Sequence, residues 1–157
     1  MAEGKRRTRR WVLLGGGAAI AAGFAIREYR LIPQAYAGGQ IAAATAHQQA
    51  LDGAIHLIDI RTPREWRATG VAEAAHPLDM RREDFVQALD HLLGGDRSAP
   101  VALICARGVR SARLSNRLTE AGFTNIIDVP EGMLGSAAGP GWVRARLPVN
   151  AYEEEKG

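Results

Sequence analysis

The sequence predicts an α/β protein of three layers, in which helices cover both faces of a central parallel sheet. Between residues 40 and 150, short apolar runs alternate with segments of helical periodicity. Strands buried on both faces are apolar without alternation, and such runs occur at residues 55–60, 101–104 and 126–129. Because parallel strands need crossover connections, this alternation favours helices on both faces of one sheet.

The elements of the first half can be placed from their boundary signals. A hinge is expected at residues 38–39, followed by an alanine-rich helix over residues 40–51 and a strand over residues 55–60. Residues 62–65, Thr-Pro-Arg-Glu, combine an N-cap, a proline at the first helical position and a glutamate three residues after the cap. They predict the start of a second helix, and residues 74–78 are expected to form the next strand.

The second half repeats the pattern. An amphipathic helix is predicted over residues 81–93, with its apolar side chains on one side. The strand at residues 101–104 leads to a helix over residues 111–122, which is followed by a strand at residues 126–129. Residues 130–141 are rich in glycine and are expected to form a loop.

The only cysteine, Cys105, lies where the strand over residues 101–104 meets the next helix. The first N–H groups of a helix lack partners and its dipole is positive there, so a thiolate and a bound anion are both favoured. Gly108 lets the loop turn its amides inward, and Arg107 and Arg110 add positive charge. A structural cysteine in the core is the alternative, but it does not account for the rest of the loop. We therefore expect Cys105 to be a nucleophile.

The loop and a second motif resemble one known family. The segment Cys105-Ala106-Arg107-Gly108-Val109-Arg110-Ser111 resembles the active-site loop of rhodanese-type sulfurtransferases, Cys-x-x-Gly-x-Arg-Ser. Residues 57–66 resemble the first signature of that family, which reads Leu-Ile-Asp-Val-Arg followed by a Pro-x-Glu-aromatic segment. Residues 121–129, Trp142 and residues 147–149 resemble its closing segment. The resemblance spans about residues 40 to 150 and implies a rhodanese-like three-layer α/β/α fold.

Two segments depart from the family pattern. Gly70-Val71-Ala72 stands where many members have Gly-His-Ile, and Glu131-Gly132-Met133 replaces the usual Gly-Gly before the final loop. The first departure concerns a supporting contact and the second the local loop shape. Neither involves Cys105.

The resemblance implies sulfur transfer through a persulfide. The Cys105 thiolate attacks the outer sulfur of a small anionic donor such as thiosulfate, and a thiol or cyanide-like acceptor, or a partner protein, then takes that sulfur. The backbone N–H groups of the loop are expected to stabilise the terminal sulfur, as oxyanion-hole donors do. Arg107 is expected to contact the donor, whereas Arg110 contacts it or braces the loop. The predicted substrate-binding residues are Ala106, Arg107, Gly108, Val109, Arg110 and Ser111.

Asp59 and Arg61 end a neighbouring strand and are candidates to hold the cysteine loop through hydrogen bonds. The alternative is an ordinary surface ion pair. No metal site or cofactor is expected: the four histidines, His47, His56, His76 and His91, show no metal-ligand spacing with each other or with Cys105.

Two other functions remain open at this point. Phosphatases and arsenate reductases of the related fold have a Cys-x5-Arg loop, whereas Cys105 and Arg110 are separated by four residues, which favours sulfur over phosphate. The second alternative is a non-catalytic or partner-dependent persulfide carrier at the membrane. It needs the same loop as an enzyme, so the sequence does not separate the two.

The charge is concentrated at the amino terminus. The 157 residues have a formal net charge of +3, yet residues 1–37 hold seven Lys or Arg and two Glu, a net +5, which leaves −2 for residues 38–157. The basic charge therefore does not belong to the folded domain, and no nucleic-acid partner is expected. The single cysteine excludes an internal disulfide.

The first 37 residues resemble an export signal. Residues 8–14, Thr-Arg-Arg-Trp-Val-Leu-Leu, resemble the twin-arginine pattern, an apolar run covers residues 11–26, and residues 35–37 offer a small-x-small cleavage site. We expect residues 1–37 to be a signal peptide cleaved after Ala37, or a signal anchor held in the membrane by residues 11–26. Either places the protein in the periplasm of a bacterium or on the inner membrane facing it. A rhodanese-like domain over residues 38–150 and an acidic tail over residues 151–157 complete the predicted organisation.

Overall fold

The computed structural model describes residues 32–153. The apolar run predicted to be part of a signal or anchor, residues 11–26, and the last residues of the acidic tail lie outside the described residues. Among residues 32–153, no helix has the length and apolar character needed to cross a membrane.

A five-stranded parallel sheet in the order β1-β6-β5-β2-β4 forms the centre of the described part, and β3 and β7 form a separate antiparallel pair. The central strand, β5, pairs with β2 on one side and β6 on the other. The strands are β1 (Gly39–Gln40), β2 (His56–Asp59), β3 (Val71–Ala72), β4 (Ala75–Pro77), β5 (Val101–Ile104), β6 (Ile126–Asp128) and β7 (Val149–Asn150). The predicted parallel α/β sheet is confirmed.

Helices cover both faces of this sheet. They are α1 (Ala43–Leu51), α2 (Pro63–Thr69), α3 (Phe85–Leu92), α4 (Val109–Glu120) and α5 (Gly141–Arg144). Successive side chains of a strand point to opposite faces, so Val101 and Leu103 of β5 pack with α3 and α4, whereas Ala102 and Ile104 pack with α1 and α5. These two buried clusters produce the three layers that the sequence predicts.

Two helices begin later than predicted. α1 begins at Ala43, because Gly39 and Gln40 pair with β6 as an edge strand, so a hinge at residue 39 is wrong. α3 begins at Phe85. The residues before it form turns in which Arg81 pairs with Asp79 and Arg82 pairs with Asp84. Local side-chain pairs of this kind compete with helix formation, and residue periodicity does not register them.

Three short elements of the structure are absent from the sequence prediction. β3, β7 and α5 contain two, two and four residues and were not predicted, since a periodic pattern cannot develop over such lengths. α4 begins at Val109, two residues before the predicted start.

The capping box predicted at the start of α2 is confirmed. Thr62 accepts a hydrogen bond from the backbone of Glu65, and the Glu65 carboxylate accepts one from the backbone of Thr62.

Tyr36 belongs to the segment predicted to precede the domain, yet it contacts the core. Its ring packs against the cluster on the α3 and α4 face, and its hydroxyl donates to the carbonyl of Ile126 at 2.6 Å. The Ala35 carbonyl also accepts a hydrogen bond from the Asn116 amide, at 3.2 Å. The predicted boundary between residues 37 and 38 stays a prediction, and these contacts identify what a cleavage after Ala37 removes.

Candidate active site

Cys105 directly follows the central strand, at the carboxyl end of the sheet. Its side chain is buried, with 1 % of its surface exposed, and it packs with the cluster beneath α3 and α4. The chain then turns through Gly108, which has a φ of 77° and serves as the N-cap of α4. The sulfur therefore lies at the base of a short loop that ends at the start of a twelve-residue helix.

A second loop, which connects β6 to α5, fixes the shape of the cysteine loop. The N–H groups of Met133 and Leu134 donate to the carbonyls of Cys105 and Ala106, at 2.8 and 2.9 Å. The two loops approach so closely that a Cβ at Gly108 would clash with the Pro130 carbonyl oxygen. Only glycine fits there, because the position combines a positive φ with backbone contact.

Glu131, the departure from the family's Gly-Gly pair, has a structural function in this second loop. One of its carboxylate oxygens accepts from the N–H of Ala43 at 3.2 Å, and the other accepts from the N–H of Gly141 at 2.9 Å. These are the starts of α1 and α5, whose N-cap residues Ala42 and Pro140 make no side-chain cap. A carboxylate at two helix N-termini stabilises both, so Glu131 ties the loop to the helices beneath it.

The loop surrounds the sulfur with hydrogen-bonding groups. The Cys105 thiol donates to Ser111 Oγ at 3.6 Å, and the Arg110 guanidinium lies within hydrogen-bonding reach of the sulfur. Among the described residues, the backbone N–H groups of residues 106–110 donate to no backbone carbonyl. Such unpaired donors at a helix N-terminus are the groups that bind an anion.

Arg110 forms a forked ion pair with Glu65 of α2. The two nitrogen–oxygen distances are 2.9 and 2.5 Å, and each side chain is 32 % exposed. Burial acts to raise the pKa of Glu65, but hydrogen bonds from Arg110 and Thr62 outweigh it and hold the pKa at about 2. Glu65 also raises the pKa of Arg110 above its usual range. The sequence predicts Glu65 only as a capping residue, although its place in the family's first signature was a signal for a role at the active site.

Arg107 differs from Arg110. Its side chain is exposed, and it forms no ion pair or side-chain hydrogen bond within residues 32–153. An arginine in the loop with free donors can donate to two oxygens of an incoming anion, whereas two nitrogens of Arg110 already donate to the Glu65 carboxylate.

Asp59 and Arg61 form a buried pair whose side-chain hydrogen bonds, within residues 32–153, do not reach the cysteine loop. Their side chains are 0 % and 1 % exposed, which excludes the surface ion pair considered above. Besides Asp59, Arg61 donates to Thr69 Oγ and to the carbonyls of Glu65 and Gly70, so all five of its N–H groups have acceptors. The structure differs here from the expectation of direct hydrogen bonds to the loop, because Asp59, α2 and the Gly70 carbonyl together take every side-chain donor of Arg61. Asp59 and Arg61 instead position α2, which carries Glu65 to Arg110.

No group of three or more His, Cys, Asp and Glu side chains that could hold a metal ion occurs in the described part of the chain. His47 forms a 2.7 Å pair with Glu73 and contacts Trp142 edge-on. These contacts lie on the α1 and α5 face and are structural.

Comparisons with known proteins agree with this fold. The family model for the rhodanese-like domain matches residues 42–138. Thiosulfate sulfurtransferase GlpE of Actinobacillus pleuropneumoniae is 31 % identical over 93 residues, which cover 59 % of this chain and 75 % of that protein. The crystal structure of Rv0390 from M. tuberculosis is 27 % identical with a TM-score of 0.56 and covers 75 % of this chain and 100 % of that one. The polysulfide-sulfur transferase homodimer of Wolinella succinogenes is 22 % identical with a TM-score of 0.56, over 90 % and 93 % of the two chains. The chain belongs to the rhodanese-like domain family.

Proposed function

We propose that the protein is a sulfurtransferase that moves a sulfane sulfur from a small anionic donor to a nucleophilic acceptor through a persulfide on Cys105. The observation that carries the proposal is that Cys105, beside Arg110, opens a loop in which five successive backbone N–H groups, those of residues 106–110, have no backbone acceptor. A 31 % identical relative named as a thiosulfate sulfurtransferase supports it.

In the first step, the Cys105 thiolate attacks the outer sulfur of a thiosulfate-like donor. A sulfur–sulfur bond forms on Cys105, the donor's own sulfur–sulfur bond breaks, and sulfite leaves with the bonding pair. The free donors of Arg107 hold the oxygens of the donor as it enters. The N–H groups of residues 106–110 are held in place by the fold before the reaction begins. They stabilise the negative terminal sulfur of the persulfide as it forms.

In the second step, a thiol, cyanide or a protein acceptor attacks the terminal sulfur of the persulfide. The bond to Cys105 breaks and the cysteine leaves as the thiolate, so no external oxidant or reductant is consumed. The loop that stabilises the persulfide also stabilises this leaving thiolate, because both are anions at the same helix N-terminus.

A phosphatase or arsenate reductase uses a comparable loop and remains the closest alternative chemistry. Such an enzyme needs an arginine free to hold the transferred oxyanion, whereas Arg110 is bound to Glu65 through two nitrogens. The four-residue spacing between Cys105 and Arg110 also makes a smaller cradle than Cys-x5-Arg. Both features favour a single transferred sulfur atom.

Intact mass spectrometry of the full chain before and after incubation with thiosulfate tests the proposal. We expect a gain of one sulfur atom that reduction removes and that Cys105→Ser abolishes. Arg107→Ala should lower the rate of loading, and Arg144→Ala, which removes an exposed arginine of α5, is the matched control. Hydrolysis of an aryl phosphate that depends on Cys105, without sulfur loading, would overturn the proposal.

The second readout separates an enzyme from a carrier. Steady turnover of thiosulfate and cyanide to thiocyanate, lost in Cys105→Ser, supports an enzyme that releases its sulfur to small acceptors. A stable persulfide that is discharged only when a partner protein is added supports the persulfide carrier. In both outcomes Cys105 is the residue that carries the transferred sulfur.

The proposal includes a location. The twin-arginine-like residues 8–14 and the apolar run at 11–26 support export to the periplasm, with or without retention in the inner membrane. Cell fractionation of the producing bacterium, followed by mass spectrometry of the chain's amino terminus, tests both points. A cytoplasmic chain that begins at residue 1 or 2 contradicts this part of the proposal.

A further inference from the structure

Glu131 makes side-chain contacts that the glycines usual at this place in the family cannot make. Its side chain is buried in the second loop, two residues before the part that touches the cysteine loop. One carboxylate oxygen accepts from the N–H of Ala43 at 3.2 Å, and the other accepts from the N–H of Gly141 at 2.9 Å. The carboxylate therefore joins the starts of two helices, α1 and α5, to the second loop.

Backbone hydrogen bonds connect the start of α5 to the second loop. The N–H of Trp142 donates to the carbonyl of Gly132 at 3.0 Å. The N–H of Val143 donates to the carbonyl of Met133 at the same distance of 3.0 Å. Glu131 binds the N–H that comes directly before these two, so it holds the turn of chain to which they belong. The position of Gly132 and Met133 therefore depends on the Glu131 carboxylate.

The second loop in turn determines how two peptide units of the cysteine loop are oriented. Met133 donates its N–H to the Cys105 carbonyl, and Leu134 donates its N–H to the Ala106 carbonyl. Both peptide units are trans, so the carbonyl and the N–H of each unit point in opposite directions. The N–H groups of Ala106 and Arg107, which belong to these two units, are therefore directed away from the second loop. Successive N–H groups on one side of the chain form a concavity that binds anions.

Gly132 allows the two loops to touch because it has no side chain. Its φ is 64°, and a Cβ at this position would collide with the peptide unit between Ala106 and Arg107. The second loop therefore lies directly against one of the two oriented peptide units, and a shift of the loop moves that unit.

We propose that Glu131 is a positioning residue for two anion-binding N–H groups, those of Ala106 and Arg107. It acts through the start of α5 and the second loop. N–H groups that are oriented before the reaction stabilise the negative charge on the terminal sulfur without having to rearrange. The inference rests on the proposed function for the reaction that these groups assist, whereas the placement of the loop can be tested without it.

Glu131→Gln is the variant that tests the inference. It keeps the size of the side chain and one oxygen acceptor, but an NH₂ group replaces the second acceptor. The N–H of Ala43 or that of Gly141 is then left buried without a partner, which destabilises the contact. Glu73→Gln is the matched control, since it makes the same chemical change at the carboxylate that pairs with His47 of α1.

The first readout is amide hydrogen exchange in the full chain, followed by NMR. The N–H groups of His56 and Val101, at the amino end of the sheet, are the reference. Relative to them, the N–H groups of Met133 and Leu134 should exchange about tenfold faster or more in Glu131→Gln, because the loop opens more often. Glu73→Gln should leave this ratio unchanged. An increase shared equally by all four N–H groups, or no increase, overturns the inference.

The second readout is single-turnover loading of the full chain over a range of thiosulfate concentrations. Misaligned N–H groups stabilise the transition state less, so the loading rate at saturating thiosulfate should fall by about tenfold or more in Glu131→Gln. The half-saturating concentration should change by less than about twofold, because binding of the donor depends on Arg107. Arg107→Ala should show the reverse pattern, and Glu73→Gln should change neither value.

The two readouts distinguish a failure of this inference from a failure of the proposed function. If the unmodified chain takes up no sulfur, the proposed function fails, and the exchange comparison decides whether Glu131 holds the two peptide units. If the unmodified chain loads sulfur and Glu131→Gln loads at the same saturating rate, the inference is overturned and the proposed function stands. A change confined to the half-saturating concentration also overturns the inference, since the carboxylate then affects donor binding and not the alignment of the N–H groups.

Discussion

Two arginine–carboxylate pairs lie at the carboxyl end of the sheet, and they differ in how completely they are closed. The inner pair, Asp59 and Arg61, is at most 1 % exposed, and its arginine has an acceptor for every N–H group. The outer pair, Glu65 and Arg110, is 32 % exposed on both sides and lies beside the sulfur. The same kind of ion pair therefore occurs once as a buried structural contact and once, partly exposed, beside the reactive cysteine.

The two pairs are connected through α2. Arg61 donates to the backbone carbonyl of Glu65 and to Thr69 Oγ, so the inner pair fixes the helix from which Glu65 reaches Arg110. Thr62 adds the capping box at the start of that helix. The inner pair thus fixes the position of α2, and the outer pair connects α2 to the cysteine loop.

The largest effect is expected from breaking the inner pair. Arg61→Met leaves Asp59 as a buried charge without a partner, and such changes cost about 3–5 kcal/mol of unfolding free energy. Urea denaturation followed by circular dichroism measures the loss. The comparison fails if Arg61→Met costs no more than Arg110→Met, since that result makes the inner pair no more important to stability than the outer one.

The next effect concerns activity. Arg110→Lys keeps the charge beside the sulfur but loses the forked contact with Glu65, because an ammonium group is not a planar donor pair. We expect the rate of sulfur loading to fall on the order of tenfold or more, while stability changes by about 1 kcal/mol or less. Single-turnover loading with thiosulfate and urea denaturation provide the two values. A loss of stability as large as that of Arg61→Met contradicts the division between the pairs.

The comparison also shows what the sequence could predict. The strand before Cys105, the start of α2 and the resemblance to a rhodanese loop are local, and each follows from a few neighbouring residues. The ion pair between Glu65 and Arg110 joins residues 45 positions apart, so no local pattern contains it. The sequence marked Glu65 as a helix cap, and only the packing of α2 beside α4 gives that carboxylate a second partner.

Burial explains the remaining differences between what the sequence predicts for individual side chains and what the structure shows. From the sequence, Asp59 and Arg61 fit either a surface pair or a support of the loop, because composition does not reveal which side of a strand is covered. In the sequence, Asp128 is recognisable only as part of the segment that resembles the family's closing segment. That pattern does not show that the side chain is 1 % exposed or that burial raises its pKa to about 6.

The pH dependence of stability distinguishes the outer pair further. The folded-state pKa of Glu65 is about 2, below its ordinary 4.5, so the pair contributes stability above pH 4.5 that is lost as the pH falls toward 2. Because both side chains are about one-third exposed, the contribution is about 1 kcal/mol at most. The unfolding free energy of the unmodified chain minus that of Glu65→Gln should be constant above about pH 5 and shrink below it. A difference that does not change with pH contradicts the assignment.

The smallest effect separates the pairs by salt. Ions shorten the range of exposed electrostatic interactions from about 10 Å at 0.1 M to about 3 Å at 1 M, but they penetrate a buried pair poorly. The coupling energy of Glu65 with Arg110, from a double-mutant cycle, should therefore fall by a few tenths of a kcal/mol between these salt concentrations. The cycle for Asp59 with Arg61 should not change. The exposed pair of Arg82 and Asp84, 49 % and 58 % exposed, is the control and should lose at least as large a fraction of its coupling as the outer pair. If the outer pair proves as insensitive to salt as the inner one, it is closed to solvent in solution, and Arg110 is then a structural residue of the loop that donor anions do not reach.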